Sequence, residues 1–163
     1  MVEQELQNVE LGPFSVDLGL IEKMVELVPA GILLELGSGA GTDIFSQYYE
    51  VHSVEHNELW LNRYNSHYIH APIVDGWYDT EVLKAELPES YDVMLIDGPT
   101  SAIGRYRFLD YADGLFNLDI PLFIDDVNRK PEMELLEKLS KRLGREFTVV
   151  AVPKYGREFG FII

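Results

Sequence analysis

Short apolar runs alternate with amphipathic segments along most of this chain. The apolar runs predict five buried strands, at positions 32–36, 51–55, 68–74, 92–97 and 121–125. Apolar residues at helical spacing lie between these runs and predict helices near 42–49, after a cap at Asn57, near 80–87 and over 105–115. Strands that alternate with helices in this way indicate a parallel sheet covered by helices on both faces.

The two ends of the chain add further elements to this pattern. A helix is predicted over 15–28 with Ser15 as its N-cap, and residues 1–12 are expected to form a loose arm. Strands at 147–152 and 159–163 close the chain as a hairpin. The clearest amphipathic helix precedes that hairpin, and its inward-facing residues are Leu135, Leu136, Leu139 and Leu143.

The composition fits one ordinary globular domain. The chain has 163 residues, 47% of them apolar, and no repeat or linker divides it, so a single domain over 1–163 is expected. The absence of cysteine excludes disulfides, and no apolar run approaches a membrane span, which together favour a cytoplasmic location. A formal net charge of −15 weighs against a nucleic-acid substrate, because a protein that grips phosphates needs clustered Lys and Arg. The sequence leaves open whether the protein forms a homodimer.

The most informative motif follows the first of the five predicted strands. Residues 33–42 have the sequence LLELGSGAGT, which leaves a strand, turns at three glycines and enters a helix. Glu55 ends the next strand, at about the distance where such folds place a ribose-binding carboxylate. A dinucleotide fingerprint requires its third glycine where this chain has Thr42, so nicotinamide binding is disfavoured. A glycine-rich turn that binds no ligand is the remaining alternative.

The Glu-x-Gly-x-Gly-x-Gly form of this motif resembles the first motif of class I S-adenosylmethionine-dependent methyltransferases. The resemblance implies a Rossmann-like, seven-stranded, mostly parallel sheet in the order 3-2-1-4-5-7-6, with one antiparallel strand. It also implies that the turn lines the methionine end of the cofactor, through Gly37, Ser38, Gly39 and Gly41.

The same resemblance assigns roles to residues around the turn. Glu35 would support the turn, and Glu55 would accept hydrogen bonds from both ribose hydroxyls. Asp75 and Trp77 stand where the family recognises adenine, although Trp77 is equally suited to be a core aromatic residue. His56 is expected to line the cofactor.

Three acids lie at the carboxyl ends of two predicted strands, where open α/β sheets carry out their chemistry. Asp97 ends the fourth strand, and Asp125 and Asp126 end the fifth. If these strands are neighbours, the acids predict a site for Mg²⁺ or Mn²⁺ that lowers the pKa of a substrate hydroxyl. In the alternative interpretation Asp97 is a general base beside the cofactor, while Asp125 and Asp126 cap the following helix.

A more specific resemblance runs over residues 91–132. The fourth strand ends in Asp-Gly-Pro, a Gly-Arg pair follows at Arg105, and the fifth strand ends in FIDDVNR. This combination resembles plant glucuronoxylan O-methyltransferases and overlaps metal-dependent sugar and catechol O-methyltransferases. The plant pattern has His and Asp where this chain has Asp125 and Asn128.

The predicted function is methyl transfer to a hydroxyl of a small-molecule or carbohydrate-like acceptor. Asp97 and Asp126 are the predicted catalytic acids, and Arg105 could hold an acceptor carboxylate. Two alternatives stay open, a cofactor-binding regulatory or scaffold protein without catalysis and an N- or protein methyltransferase. Three histidines, His52, His67 and His70, are not spaced in the sequence as metal ligands usually are. This weighs against histidine as a metal ligand.

Overall fold

A computed structural model of the chain describes residue 11 and residues 15–163. The arm predicted for residues 1–12 therefore lies, apart from Leu11, outside the described residues. The described helices are Leu18–Leu27 (α1), Ala40–Phe45 (α2), Thr80–Glu86 (α3), Phe108–Tyr111 (α4) and Lys130–Leu143 (α5). The strands are Gly31–Leu36 (β1), Tyr49–Glu55 (β2), His67–His70 (β3), Ile73–Val74 (β4), Trp77–Tyr78 (β5), Val93–Ile96 (β6), Leu122–Ile124 (β7), Phe147–Val152 (β8) and Arg157–Ile162 (β9).

Seven of these strands form one sheet in the order β3-β2-β1-β6-β7-β9-β8. Its labels differ from the predicted order only because β4 and β5 pair with each other outside this sheet. Counting the strands of the large sheet alone, the order is 3-2-1-4-5-7-6, as predicted. Neighbours from β3 to β7 run parallel, whereas β9 pairs antiparallel with both β7 and β8. The seven-stranded α/β fold class is confirmed.

Two hydrophobic clusters cover the two faces of this sheet. One contains alternate residues of β1 and β6, such as Leu34 and Met94, together with the inner face of α5. The other contains the intervening residues, such as Leu33 and Val93, and is closed by α1. Side chains that alternate along each central strand contribute to both layers, which is why most residues of these strands are apolar. Glu35 and Ser53 are buried polar exceptions on β1 and β2.

Several predicted element boundaries were wrong. The first helix is capped by Asp17, whose Oδ1 accepts from the Gly19 N–H at 2.7 Å, and not by Ser15. Residues 42–49 do not form one helix, because α2 ends at Phe45 and Tyr49 already pairs with β1. The helix expected after Asn57 is a single 3₁₀ turn, Glu58–Trp60.

Two longer predictions were broken by turns. The strand predicted over 68–74 ends at His70, and its remainder becomes β4 of a two-residue hairpin whose turn holds Asp75 and Gly76 at positive φ. The helix predicted over 105–115 is reduced to α4. None of the helices in residues 15–163 is long and apolar enough to cross a membrane.

Candidate cofactor and acceptor site

A cavity of about 500 Å³ opens at the carboxyl ends of four neighbouring strands. Its walls come from the segments that follow β1, β2, β6 and β7, the place where open α/β sheets bind ligands. The acids and the glycine turn selected from the sequence therefore meet at one edge of the sheet.

The glycine turn is held by close backbone packing. Gly37 has a φ of 94°, and a Cβ there would lie 2.9 Å from the carbonyl oxygen of Asp97. A Cβ on Gly98 would likewise lie 2.9 Å from the Gly37 Cα, so the turns after β1 and β6 touch without side chains between them. Gly39 differs, because a Cβ there would meet nothing within 4 Å and Gly39 lines the cavity.

Glu35 and Gly41 stand behind this turn and do not line the cavity. The Glu35 Oε1 accepts hydrogen bonds from the hydroxyls of Thr42 and Ser53, each at 2.6 Å. Thr42 Oγ1 in turn accepts from the Gly39 N–H at 3.1 Å, so a buried polar chain connects Glu35 to the turn. Burial, opposed by these two hydrogen bonds, raises the pKa of Glu35 from 4.5 to about 7.

Glu55 ends β2 and presents a buried carboxylate to the cavity. Its Oε2 accepts from the Ser38 N–H at 3.0 Å, and its Oε1 accepts from the Asn57 N–H at 2.8 Å. His56 Nδ1 lies 3.2 Å from the same Oε1. These contacts fix the orientation of the carboxylate and leave lone pairs for a further donor, because a carboxylate has about four acceptor positions.

The predicted adenine contacts fall elsewhere. Trp77 is fully buried, stacks on Tyr111 with ring centroids 5.1 Å apart, and does not line the cavity. Asp75 lies in the hairpin turn, also away from the lining residues. The aromatic side chains that do line the cavity are Trp60 and Tyr78. The Tyr78 hydroxyl is buried and has no hydrogen-bond partner within residues 15–163.

Arg105 lies between two of the predicted catalytic acids. Its guanidinium Nη2 is 3.2 Å from Asp97 Oδ1, and its Nη1 is 3.1 Å from Asp126 Oδ2. Nη1 also donates to the main-chain oxygen of Asp125. Arg129 approaches the same Asp126 oxygen at 3.3 Å, so this acid contacts two guanidinium groups. Arg105 itself is 6% exposed, which makes these contacts strong relative to surface ion pairs.

Burial and mutual repulsion alter the protonation of this cluster. Burial raises the pKa of Asp97 well above its usual value, although Arg105 opposes the change. Burial and the neighbouring charge of Asp126 raise the pKa of Asp125 to about 6. Asp97 is therefore a stronger base than an exposed carboxylate, and it faces the cavity.

The three acids match a hard cation in donor chemistry, since one oxygen from each of Asp97, Asp125 and Asp126 lies within 4.8 Å of the others. Arg105 nevertheless already contacts two of these carboxylates. A divalent ion would have to share the cluster with this guanidinium. The predicted metal site stays a prediction, and the chemistry below is derived without it.

Some lining residues escaped the sequence analysis. Trp60 was assigned to a helix, and Tyr78 was overlooked beside Trp77. Arg157 also lines the cavity, as does Arg129, which ends the FIDDVNR segment noted in the sequence. Arg157 begins β9 and donates to the main-chain oxygen of Ser15 at 2.6 Å, a contact between distant segments that no local pattern indicates. Arg107, two residues after Arg105, lies outside the lining and contacts Asp110.

This sheet order, with its inserted antiparallel strand and its glycine turn, defines the Rossmann-like fold of class I methyltransferases. No protein-family profile matches the sequence, and no curated protein matches it. The resemblance to glucuronoxylan and catechol O-methyltransferases therefore stays a prediction.

Solved structures that align with this chain include several methyltransferases. The O-methyltransferase TomG from Streptomyces achromogenes, involved in tomaymycin synthesis and solved with S-adenosylmethionine, aligns with 99% of this chain and 85% of its own at 13% identity and a TM-score of 0.64. A methyltransferase from Pyrococcus furiosus aligns with 98% of this chain and 92% of its own, at 15% identity and a TM-score of 0.57. The S-adenosylhomocysteine-bound methyltransferase PaMTH1 from Podospora anserina aligns with 98% of this chain and 84% of its own, at 13% identity and a TM-score of 0.52. At these identities the likeness establishes the fold.

Proposed function

We propose that this protein is an S-adenosylmethionine-dependent methyltransferase that acts on a hydroxyl oxygen of a small-molecule or carbohydrate-like acceptor. The observation that carries the proposal is the Glu55 carboxylate, which is buried, oriented by two main-chain N–H groups and presented to the cavity beside the glycine turn. Two of the solved structures that share the fold hold S-adenosylmethionine or S-adenosylhomocysteine, which supports this choice of cofactor.

The lining residues fit such a cofactor in their chemistry. Glu55 would accept from the ribose hydroxyls, and the open face of Gly39 would admit the methionine portion. Trp60 replaces Trp77 as the proposed partner of the adenine ring, because its side chain lines the cavity.

When bound, S-adenosylmethionine supplies an electrophilic methyl group. Asp97 is the proposed general base that takes the proton of the acceptor hydroxyl, because its pKa is raised and its side chain faces the cavity. Arg105 positions Asp97 through the 3.2 Å contact and holds Asp126 on its other side. Enclosure of both substrates contributes proximity and alignment, which is the main requirement of a direct displacement.

The acceptor class follows from the size and charge of the site. A cavity of about 500 Å³ is in the range for small ligands. Arg129 and Arg157 at the cavity wall suit an acceptor with a carboxylate, as a uronic acid has. The involvement of the O-methyltransferase TomG in tomaymycin synthesis is compatible with small-molecule O-methylation.

Cofactor binding is tested by calorimetric titration of S-adenosylhomocysteine into the wild-type protein and two matched variants. Glu55→Gln should weaken binding by about tenfold or more, because it removes the charge from the ribose contact. Glu58→Gln, an exposed acid three residues away, should bind like the wild type. Failure of the wild-type protein to bind would remove the proposal.

Catalysis is tested by transfer of a labelled methyl group to catechols, uronates and matched amines. Asp97→Asn should reduce turnover by about 100-fold or more while leaving S-adenosylhomocysteine affinity within a few-fold. We expect turnover to persist in EDTA. A loss that Mg²⁺ or Mn²⁺ restores would instead support the carboxylate metal site, and binding without turnover on any acceptor would favour the non-catalytic alternative.

A further inference from the structure

Two histidines and a glutamate meet at the opposite end of the sheet from the cavity. His52 of β2 is paired with His67 of β3 in the parallel register, so their side chains project from the same face. Glu50 lies two residues before His52 and projects from that face too. The sequence spacing hid this arrangement, because the 14 residues between the histidines give no indication of strand register.

The three side chains are already close to a ligand arrangement. His52 Nε2 lies 3.0 Å from Glu50 Oε1, His67 Nε2 lies 3.7 Å from the same oxygen, and the imidazole centroids are 4.6 Å apart. One ligand atom from each residue lies within 4.8 Å of the other two. Tetrahedral zinc with bonds of about 2.0–2.1 Å places its ligand atoms about 3.4 Å apart, between the two measured His–Glu distances.

The donor set and its exposure indicate the kind of ion. Two imidazoles and one carboxylate suit Zn²⁺, Ni²⁺ or Cu²⁺ better than Mg²⁺, which prefers oxygen ligands. The His67 and Glu50 side chains are 66% and 56% exposed, so an ion can enter and solvent can complete its coordination. The formal net charge of −15 adds a general attraction for cations.

We propose that Glu50, His52 and His67 form a surface binding site for a divalent transition-metal ion, with Zn²⁺ as the reference ligand. The ion clamps β3 to β2. This matters mechanically because β3 is an edge strand of four residues whose sheet partner is β2. The site is independent of the proposed methyl transfer, since β2 runs from this end of the sheet toward Glu55 at the other.

The test is calorimetric titration of Zn²⁺ into the full chain produced without a histidine tag. The wild type should bind one ion, and His52→Gln and His67→Gln should each weaken binding by about tenfold or more, because each removes one of three ligands. His70→Gln is the matched control, since His70 belongs to β3 but projects from the opposite face, and it should bind like the wild type. Electron paramagnetic resonance of the Cu²⁺ form should show coupling to two imidazole nitrogens in the wild type and to one in His67→Gln.

A second control separates this site from the cavity. His56→Gln should retain wild-type zinc affinity, because His56 lies beside Glu55 at the other end of β2. The proposal is overturned if the wild type binds no zinc, if His52→Gln and His67→Gln bind as tightly as the wild type, or if His56→Gln is the variant that loses binding. At one fixed Zn²⁺ concentration, the thermal unfolding midpoint should rise more in the wild type than in His67→Gln, because the variant binds the ion more weakly.

Discussion

At the scale of single residues, Glu35 couples folding to protonation. Its carboxyl is 2% exposed, and the hydroxyls of Thr42 and Ser53 only partly offset the loss of hydration that raises its pKa to about 7. The unfolded chain binds this proton with the ordinary pKa of 4.5. Ionisation of Glu35 therefore favours the unfolded state. The two hydroxyl hydrogen bonds reduce the energetic cost of the buried carboxylate but do not remove it.

Glu35→Gln should flatten the dependence of stability on pH. Below pH 4.5 the side chain is protonated in both states, whereas between pH 4.5 and 7 only the folded state keeps the proton. The free energy of unfolding of the wild type therefore falls by on the order of 3 kcal/mol as Glu35 responds to the rise in pH through that window. The variant lacks this contribution. Urea unfolding at pH 5 and pH 8 gives the change in free energy of unfolding between the two pH values for each protein. A cost of the substitution that does not depend on pH cancels in this change.

Asp125 provides the internal comparison for this prediction. Its pKa of about 6 means that the free energy of unfolding also falls as pH rises because Asp125 ionises. Asp125 is present in both the wild type and Glu35→Gln. The variant should therefore retain part of the slope. Equal slopes in the two proteins would show that Glu35 ionises with an ordinary pKa.

At the scale of elements, two glycines show opposite kinds of constraint. Gly160 lies on β9 under helix α5, and a Cβ there would be 2.3 Å from Cδ2 of the fully buried Leu136. Gly39 lies at the start of α2, where a Cβ would meet open space that belongs to the cavity. The first glycine is required by packing, and the second by the room that a ligand needs.

Alanine at each position should separate stability from binding. Gly160→Ala should lower the free energy of unfolding by about 1–3 kcal/mol, because the buried Leu136 side chain must repack to admit the methyl group. Gly39→Ala should change stability little, since its φ of −163° is open to any residue, but should weaken S-adenosylhomocysteine binding. Denaturant unfolding and calorimetry on both variants check this. Unaltered affinity in Gly39→Ala would place the ligand away from the turn.

The alternation of apolar runs was sufficient to predict a parallel sheet and the edge at which the acids meet. The strand order came from the resemblance of the glycine motif to class I methyltransferases. It failed where tertiary contacts decide the outcome. Trp77 and Tyr78 are adjacent residues of β5, and choosing the one that lines the cavity requires the face of a hairpin whose turn depends on Asp75 and Gly76. Arg105 was predicted to meet the acceptor, yet its contacts with Asp97 and Asp126 join segments that no sequence period relates.

At the scale of the whole molecule, charge restricts the acceptor. The formal net charge of −15 surrounds a cavity whose described lining has three arginines, Arg105, Arg129 and Arg157. Arg105 and Arg129 also contact Asp97 or Asp126. A small acceptor needs only a local contact at the cavity wall. A nucleic acid would meet repulsion over a much larger area.

Fluorescence anisotropy with labelled single-stranded and duplex RNA should therefore show no binding at micromolar protein and 150 mM salt. Lowering the salt should not produce it, because few phosphate contacts are available to release counterions. Bovine serum albumin, also acidic, is a suitable negative control. Salt-sensitive binding in the micromolar range would favour a nucleic-acid methyltransferase over the proposed small-molecule enzyme.

The antiparallel insertion of β9 carries a consequence for the order of assembly. β8 precedes β9 along the chain, yet its partner in the sheet is β9, which also supplies the contact with β7. Residues 147–152 therefore have no strand to pair with until the chain has turned at Gly156 and formed β9. The two strands can form a hairpin from local contacts within microseconds, whereas attachment to β7 closes a loop that spans α5. Nascent protein would thus complete its parallel half first and receive the last two strands as one preassembled piece.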